Sequence, residues 1–185
     1  MFNSIAKIRT LGDPVLRTRC AEVTEFSKAD QDLALKMIKV LEKDKKGIGL
    51  AANQIGVKKR IVVVESDHLD IPEQVLVNPV IEDASEEWEY EEGCLSIPGF
   101  YFPIRRPKLV HLKAQRLDGS EFELELDVIE ARLMLHEIDH LNGKCMFDNI
   151  PEDELKFANE IYAEVQAGME CRTFTRGRNE DEYEL

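Results

Sequence analysis

Apolar residues recur at steps of three and four in three stretches of the chain, which is the period of an amphipathic helix. The first stretch covers residues 27–45, the second covers residues 127–141, and the third covers about residues 152–168. Residues 177–185 follow as a polar, mostly acidic segment. This pattern predicts an N-terminal helix, a central helix and a C-terminal helix, with a flexible acidic tail at the end.

The central helix has predicted boundaries at both ends. Asp127 precedes the apolar pattern and Glu130 stands three residues later, which is an acidic variant of a capping box. Gly143 lies just after the pattern, where glycine commonly ends a helix. We therefore expect a helix that begins near Asp127 and ends near Leu141.

Shorter stretches between the first two helices have the period of β-strands. Residues 61–64 form a continuous apolar run, and residues 75–81 hold two short apolar runs around Asn78-Pro79. Residues 109–117 alternate and end at Asp118-Gly119, a hairpin signal. Residues 122–126 alternate with glutamates, as in a half-exposed strand. The order of elements predicts an α+β fold, with mixed or antiparallel sheets packed around the central helix in one domain, 1–185.

The composition narrows the class of protein. The chain has 185 residues, 43% of them hydrophobic, which is typical of a globular protein. Its net charge of −13 argues against nucleic acid or an anionic membrane as a direct partner. The four cysteines show no disulfide spacing, and no apolar run is long enough to cross a bilayer. We expect a cytoplasmic protein with free thiols.

The central helix carries a His-Glu-x-x-His pattern at residues 136–140. His136 and His140 are four residues apart, so both imidazoles lie on one face and can bind one metal ion. Glu137 stands beside them, where a carboxylate can take a proton from a metal-bound water. These residues indicate a metal hydrolase acting on an amide bond, once a third ligand is found.

The residues alone leave two candidates for the third ligand. Glu160 lies about twenty residues downstream, as in a zinc endopeptidase, although it also fits a solvated helix face. Cys94 precedes the helix in the segment Glu92-Gly93-Cys94-Leu95-Ser96. A histidine six residues after His140 would be a third possibility, but Met146 occupies that position.

Three motifs, taken together, resemble those of the peptide deformylases. They are residues 47–54 (GIGLAANQ), residues 92–96 (EGCLS) and residues 136–140 (HEIDH). The similarity extends from about Ile8 to about Phe147. The resemblance implies that Cys94, His136 and His140 are the metal ligands, with water as the fourth.

The same resemblance implies the reaction and the metal. The expected metal is one Fe2+ per chain, with Zn2+, Ni2+ or Co2+ accepted in the isolated protein. Its bound water would attack the formyl carbon of an N-formylmethionyl nascent chain and release formate. Glu137 would act as general acid and base. The Gln54 side chain and the Leu95 backbone N–H would stabilise the oxyanion.

Further residues match positions around the deformylase site. Those matching the substrate-binding positions are Ile48, Gly49, Tyr90, Gly93, Ile129 and Leu133. Those matching buried ion pairs are Glu92 and Arg106, to which Asp139 is added as a neighbour.

The sequence departs from the family pattern in a few places. Leu135 replaces the glutamine that often precedes the first metal histidine, and Asn53 replaces a frequent proline. Residues 151–185 hold four basic and ten acidic residues, a net charge of −6, which makes ribosome docking by the C-terminal helix doubtful. A non-enzymatic metal-binding protein is the last alternative, but such a protein needs neither Glu137 nor Gln54.

Overall fold

The structure is a computed structural model that describes residues 6–44, 47–65 and 69–169. Three α-helices are present in these ranges: α1 (Lys28–Asp44), α2 (Val128–Leu141) and α3 (Glu152–Gln166). Short 3-10 helices lie at Pro14–Arg17, Ala52–Ile55 and Met146–Asn149. The α+β fold is confirmed, and each predicted helix is found. Residue 45 and the predicted tail at residues 177–185 lie outside the described ranges.

The described strands form one five-stranded sheet in which every pair of neighbours is antiparallel. In chain order, which is also the spatial order, they are β1 (Gly49–Ala51), β2 (Ile61–Val64), β3 (Val75–Cys94), β4 (Ile97–Gln115) and β5 (Glu121–Asp127). The predicted turn at Asp118-Gly119 joins β4 to β5, and Gly119 adopts a φ of +86° there.

Strands β3 and β4 are much longer than the sequence pattern predicts, at 20 and 19 residues. They pair with each other along nearly their whole length. Only the first residues of β3 also pair with β2, and only the last residues of β4 also pair with β5. The remainder is a two-stranded arm that reaches beyond the sheet.

Helix α2 begins where predicted, but its N-terminus is not built as predicted. Asp127 is the N-cap residue, yet its side chain makes no capping hydrogen bond. Glu130 instead accepts a hydrogen bond from the backbone N–H of Asp70 at 3.2 Å. Val128 has a φ of +41°, so the chain enters the helix through a conformation that the capping-box pattern does not include. The predicted capping box is therefore wrong.

The core places α2 between the sheet and the arm. Its apolar side chains, among them Met134, Ile138 and Leu141, pack in one cluster with β2, β4 and β5. A second cluster joins α1 to β1 and β2. A third packs α3 and the 3-10 helix at Met146–Asn149 against the aromatic residues of β4, including Phe100 and Phe102. Among the described residues, no helix has the length and apolar character needed to cross a membrane.

Candidate metal centre

Cys94 is the last residue of β3, at the far end of the two-stranded arm. Only Leu95 and Ser96 separate it from β4. The strand register shifts between Gly93 and Cys94, a bulge that redirects the following side chain. The arm thus ends in a tight turn that carries the thiol to α2.

His136 and His140 lie on α2 and are both buried. The Cys94 Sγ and one ring nitrogen of each histidine lie within 4.8 Å of one another. The Sγ is 3.2 Å from His140 Nε2. Sulfur and two imidazole nitrogens are a donor set that binds divalent transition metals, so these residues fit a metal ion.

Glu92 fixes the orientation of His136. Its Oε2 is 3.0 Å from His136 Nδ1, which leaves Nε2 to face the candidate centre. Burial opposes the charge on Glu92, but hydrogen bonds from His136 and Arg106 outweigh burial and lower its pKa to about 2. The carboxylate is therefore ionised at neutral pH.

Arg106 connects Glu92 to Asp139. Its Nε donates to Glu92 Oε1 at 2.5 Å, and its Nη1 donates to Asp139 Oδ2 at 2.8 Å. Arg106 is buried, so it is not a solvent-exposed charge on the surface of β4. The structure thus brings the three residues expected to form ion pairs into one network.

Arg132, which the sequence analysis did not single out, belongs to the same network. Its Nη1 donates to Glu92 Oε1 at 2.6 Å and to the Ile104 carbonyl at 2.9 Å. Its Nη2 donates to the Trp88 carbonyl at 3.1 Å. One side chain therefore ties α2 to both strands of the arm. The available signal was an arginine one helical turn before His136, within the apolar stretch of α2 that precedes the metal-ligand pattern.

The three described cysteines differ in their surroundings. Burial raises the pKa of Cys20 and of Cys145 to about 11. Burial also acts to raise the pKa of Cys94, but the charges and hydrogen bonds of His140 and His136 outweigh it and hold that pKa well below its usual range. Of the three, Cys94 alone is prepared to be a thiolate ligand.

Glu137 is buried beside the two histidines. Burial raises its pKa more than the charges of His136 and His140 lower it. Among the described residues its Oε2 has no hydrogen-bond partner. A carboxyl group with a raised pKa and a free oxygen suits proton transfer near neutral pH.

Gln54 is held in the 3-10 helix at Ala52–Ile55 with its amide group oriented. Its Oε1 accepts from the Ala51 backbone N–H at 2.8 Å. Its Nε2 donates to Ser96 Oγ at 3.2 Å and lies 3.7 Å from Cys94 Sγ. The donor end of the amide therefore faces the candidate centre, close to the turn that contains Leu95.

Gly49, one of the expected substrate-binding residues, lies against Glu137 and against Leu133, another of them. A Cβ atom on Gly49 would lie 2.6 Å from Leu133 Cδ1 and 2.8 Å from Glu137 Oε1. A side chain at position 49 would thus occupy the space in front of Glu137. Gly93 is similarly restricted, because a Cβ there would lie 2.5 Å from the ring of Tyr101.

The other expected substrate-binding residues are less enclosed. Ile48 is 41% exposed and Tyr90 is 37% exposed, so both lie at the surface. The ring of Tyr90 stacks on Trp88, with centroids 5.1 Å apart. Ile129 is half-buried, one turn before Leu133 on α2. Their contact with substrate stays a prediction.

Two further residues bear on the alternatives. Glu160 is exposed on α3, and in the part of the chain that the structure describes the three-ligand group contains Cys94 in its place. This finding disfavours the endopeptidase reading. Asn53, a departure from the family pattern, is buried, and its Nδ2 donates to the His140 carbonyl at 2.5 Å.

The fold and the site together define a class: a hydrolase with a single Cys-His-His metal centre and an adjacent glutamate. The sequence profile of the polypeptide deformylase family matches residues 5–156. A peptide deformylase of Dictyoglomus thermophilum is 42% identical over 153 residues, which are 82% of this chain and 97% of that protein. The chain belongs to the peptide deformylase family.

Solved structures agree with this assignment. A peptide deformylase from Legionella pneumophila superposes with a TM-score of 0.79 at 37% identity, covering 89% of this chain and 96% of that one. A peptide deformylase from Plasmodium falciparum, in complex with an inhibitor, has a TM-score of 0.77 at 32% identity, covering 87% and 99%.

Proposed function

We propose that this chain removes the N-terminal formyl group from newly synthesised polypeptides and releases formate, using Cys94, His136 and His140 to hold one metal ion. The observation that carries the proposal is the approach of these three ligand atoms to within 4.8 Å of one another. Membership of the deformylase family supports the substrate. Of the metals that a Cys-His-His set accepts, we propose Fe2+ as the native one.

The metal, when bound, would polarise the formyl oxygen and lower the pKa of a water molecule. Glu137 would take a proton from the attacking water and would later donate it to the departing α-amine. The free, buried Oε2 of Glu137 and its raised pKa both support this role.

Gln54 and Leu95 would stabilise the negative charge that develops on the formyl oxygen. The Gln54 amide would donate through Nε2, and the bond that Oε1 accepts from the Ala51 N–H fixes the orientation of the amide. The backbone N–H of Leu95, next to Cys94, is the second proposed donor. Donors fixed before the reaction stabilise a developing oxyanion without a reorganisation cost.

The methionine side chain would bind against Leu133, with Ile48, Tyr90 and Ile129 as further contacts. Gly49 and Gly93 would let the substrate backbone approach Glu137 and Cys94. A cytoplasmic location, where nascent chains emerge, fits this activity. Docking of α3 on the ribosome is not part of the proposal, because its first turn carries three acidic residues (Glu152, Asp153 and Glu154).

The direct test is a formate-release assay on protein purified and loaded with Fe2+ without oxygen. We expect formate and free Met-Ala-Ser from formyl-Met-Ala-Ser, and no product from acetyl-Met-Ala-Ser. The matched control is Cys94→Ala, which should bind no iron and release no formate. Cleavage of an internal peptide bond, or a Cys94→Ala variant that retains metal and activity, would contradict the proposal.

A further inference from the structure

A surface cavity of about 390 Å³ lies against a face of α2 other than the face that carries the metal ligands. Leu135, Ile138, Asp139 and Asn142 line it from the helix. Their spacing of three, four and seven residues places them on one helix face, apart from His136. A volume of this size is at the lower end for small-molecule sites.

Two arginines, Arg19 and Arg60, line the cavity together with two carboxylates, Glu22 and Asp139, of which Asp139 is paired with Arg106. Arg60 is 6% exposed, and within the described ranges its side chain donates to two neutral acceptors, Asn142 Oδ1 at 2.9 Å and the Pro79 carbonyl at 3.0 Å. A guanidinium has five N–H donors, so these bonds leave it further capacity. Among the described residues, neither Arg60 nor the exposed Arg19 has an acidic group within 4.0 Å.

The electrostatics of this pair favour an added anion. Burial lowers the pKa of Arg60 and the positive charge of Arg19 lowers it further, while the charges of Cys20 and Glu22 act in the opposite direction without outweighing them. An anion between the two guanidinium groups would relieve that repulsion. Glu22 and Asp139 also line the cavity, and Asp139 is already paired with Arg106, so a single negative charge is favoured over a double one.

Part of the cavity wall is apolar. Val80 is 47% exposed there, and Ile81, Leu135 and Ile138 line the same space. Leu135 is the residue that departs from the family pattern beside the first metal histidine. Exposed aliphatic groups next to a cationic pair match a ligand with one charged end and one hydrocarbon end.

We propose that this cavity binds a small amphipathic monocarboxylate, at a site separate from the metal centre. The carboxylate would lie between Arg19 and Arg60. The hydrocarbon chain would lie against Val80, Leu135 and Ile138.

The test is a titration of the metal-loaded protein with hexanoate, followed by the ¹³C-methyl signals of labelled isoleucine. We expect saturable shifts at Ile81 and Ile138, which line the cavity, and none at Ile48 or Ile129, which are expected near the substrate. Hexan-1-ol, the neutral analogue, should bind at least about fivefold more weakly, because it cannot pair with the arginines.

Two variants and a control locate the site. Arg19→Gln should weaken hexanoate binding about fivefold, and Leu135→Gln should weaken it by removing the apolar contact. Arg105→Gln removes an exposed arginine that does not line the cavity, and it should bind as the parent protein does. Shifts confined to Ile48 and Ile129, equal binding of hexan-1-ol, or no effect of Arg19→Gln would each overturn the proposal.

Discussion

Helix α2 buries two kinds of side chain, and they are held by different interactions. One set consists of four buried ionisable residues that lie near the arm or near β1: Arg132, His136, Glu137 and His140. Into the sheet the helix buries apolar residues such as Met134, Ile138 and Leu141. The ionisable set is costly to desolvate, and Arg132 and His136 are retained through hydrogen bonds to Glu92 and, for Arg132, to backbone carbonyls. The apolar set contributes stability by burial alone. Substitutions on the two sets should therefore separate function from stability.

The largest effect is expected from His140→Ala. The variant loses one of three proposed ligands, so metal content should fall to background and formate release should fall by more than about 10³-fold. Metal analysis alongside the assay checks both. The control is Cys145→Ala, since Cys145 is buried with a raised pKa and should leave metal content unchanged. Full metal occupancy in His140→Ala would break the proposed ligand set.

Glu137→Gln should separate metal binding from proton transfer. The amide has nearly the same shape but cannot carry the proton, so kcat should fall by about 10²–10⁴-fold. Metal content should stay at the parent level, because Glu137 is not a ligand. A loss of metal in this variant would instead place Glu137 in the ligand set.

Met134→Ala should show the opposite behaviour. Met134 is fully buried in the core against the sheet, so its truncation should cost about 2–5 kcal/mol of unfolding free energy. Below the unfolding transition, metal content and kcat should remain near the parent values. Denaturant unfolding measures the unfolding free energy, and the formate assay measures kcat. A drop in kcat as large as that of Glu137→Gln would show that the two sets are not independent.

Glu92→Gln should have a smaller effect that reaches the metal through His136. The neutral amide holds the imidazole less well, so metal affinity should fall by about 10–100-fold. Competition with a chelator gives the affinity. Glu87→Gln, on the exposed part of the same strand, is the matched control and should not change it. If Glu92→Gln and Glu87→Gln bound the metal with equal affinity, Glu92 would have no role in holding the metal.

The smallest effect is expected from Asp127→Ala. A working N-cap contributes about 1 kcal/mol to stability. The Asp127 side chain makes no capping bond, so its loss should cost less than about 0.5 kcal/mol. Thermal unfolding measures the difference. A cost of about 1 kcal/mol or more would show that the side chain caps α2 in solution.

The sequence predicts the helices well because each helix buries one apolar face. Such a face requires apolar residues at every third or fourth position of the sequence. It does not predict the arm. Residues 82–87 of β3 are exposed on both faces, so no alternation of apolar and polar residues marks them as a strand. The candidate site is easier to predict, because the three motifs at residues 47–54, 92–96 and 136–140 contain all three candidate ligands together with Gln54 and Glu137. Arg132 escapes notice because its partners are mainly backbone carbonyls, which have no signature in a sequence.

The two outer strands of the sheet, β1 and β5, differ in what protects them from pairing with another strand. β1 is three residues long and wholly buried, so it presents almost no free strand to a neighbour. β5 is longer, but its outward residues Glu121, Glu123 and Glu125 repel a second copy of the same edge. At high protein concentration, pairing of another strand with β1 is therefore opposed by burial, and pairing with β5 is opposed by charge. Raising the salt concentration should weaken only the second protection.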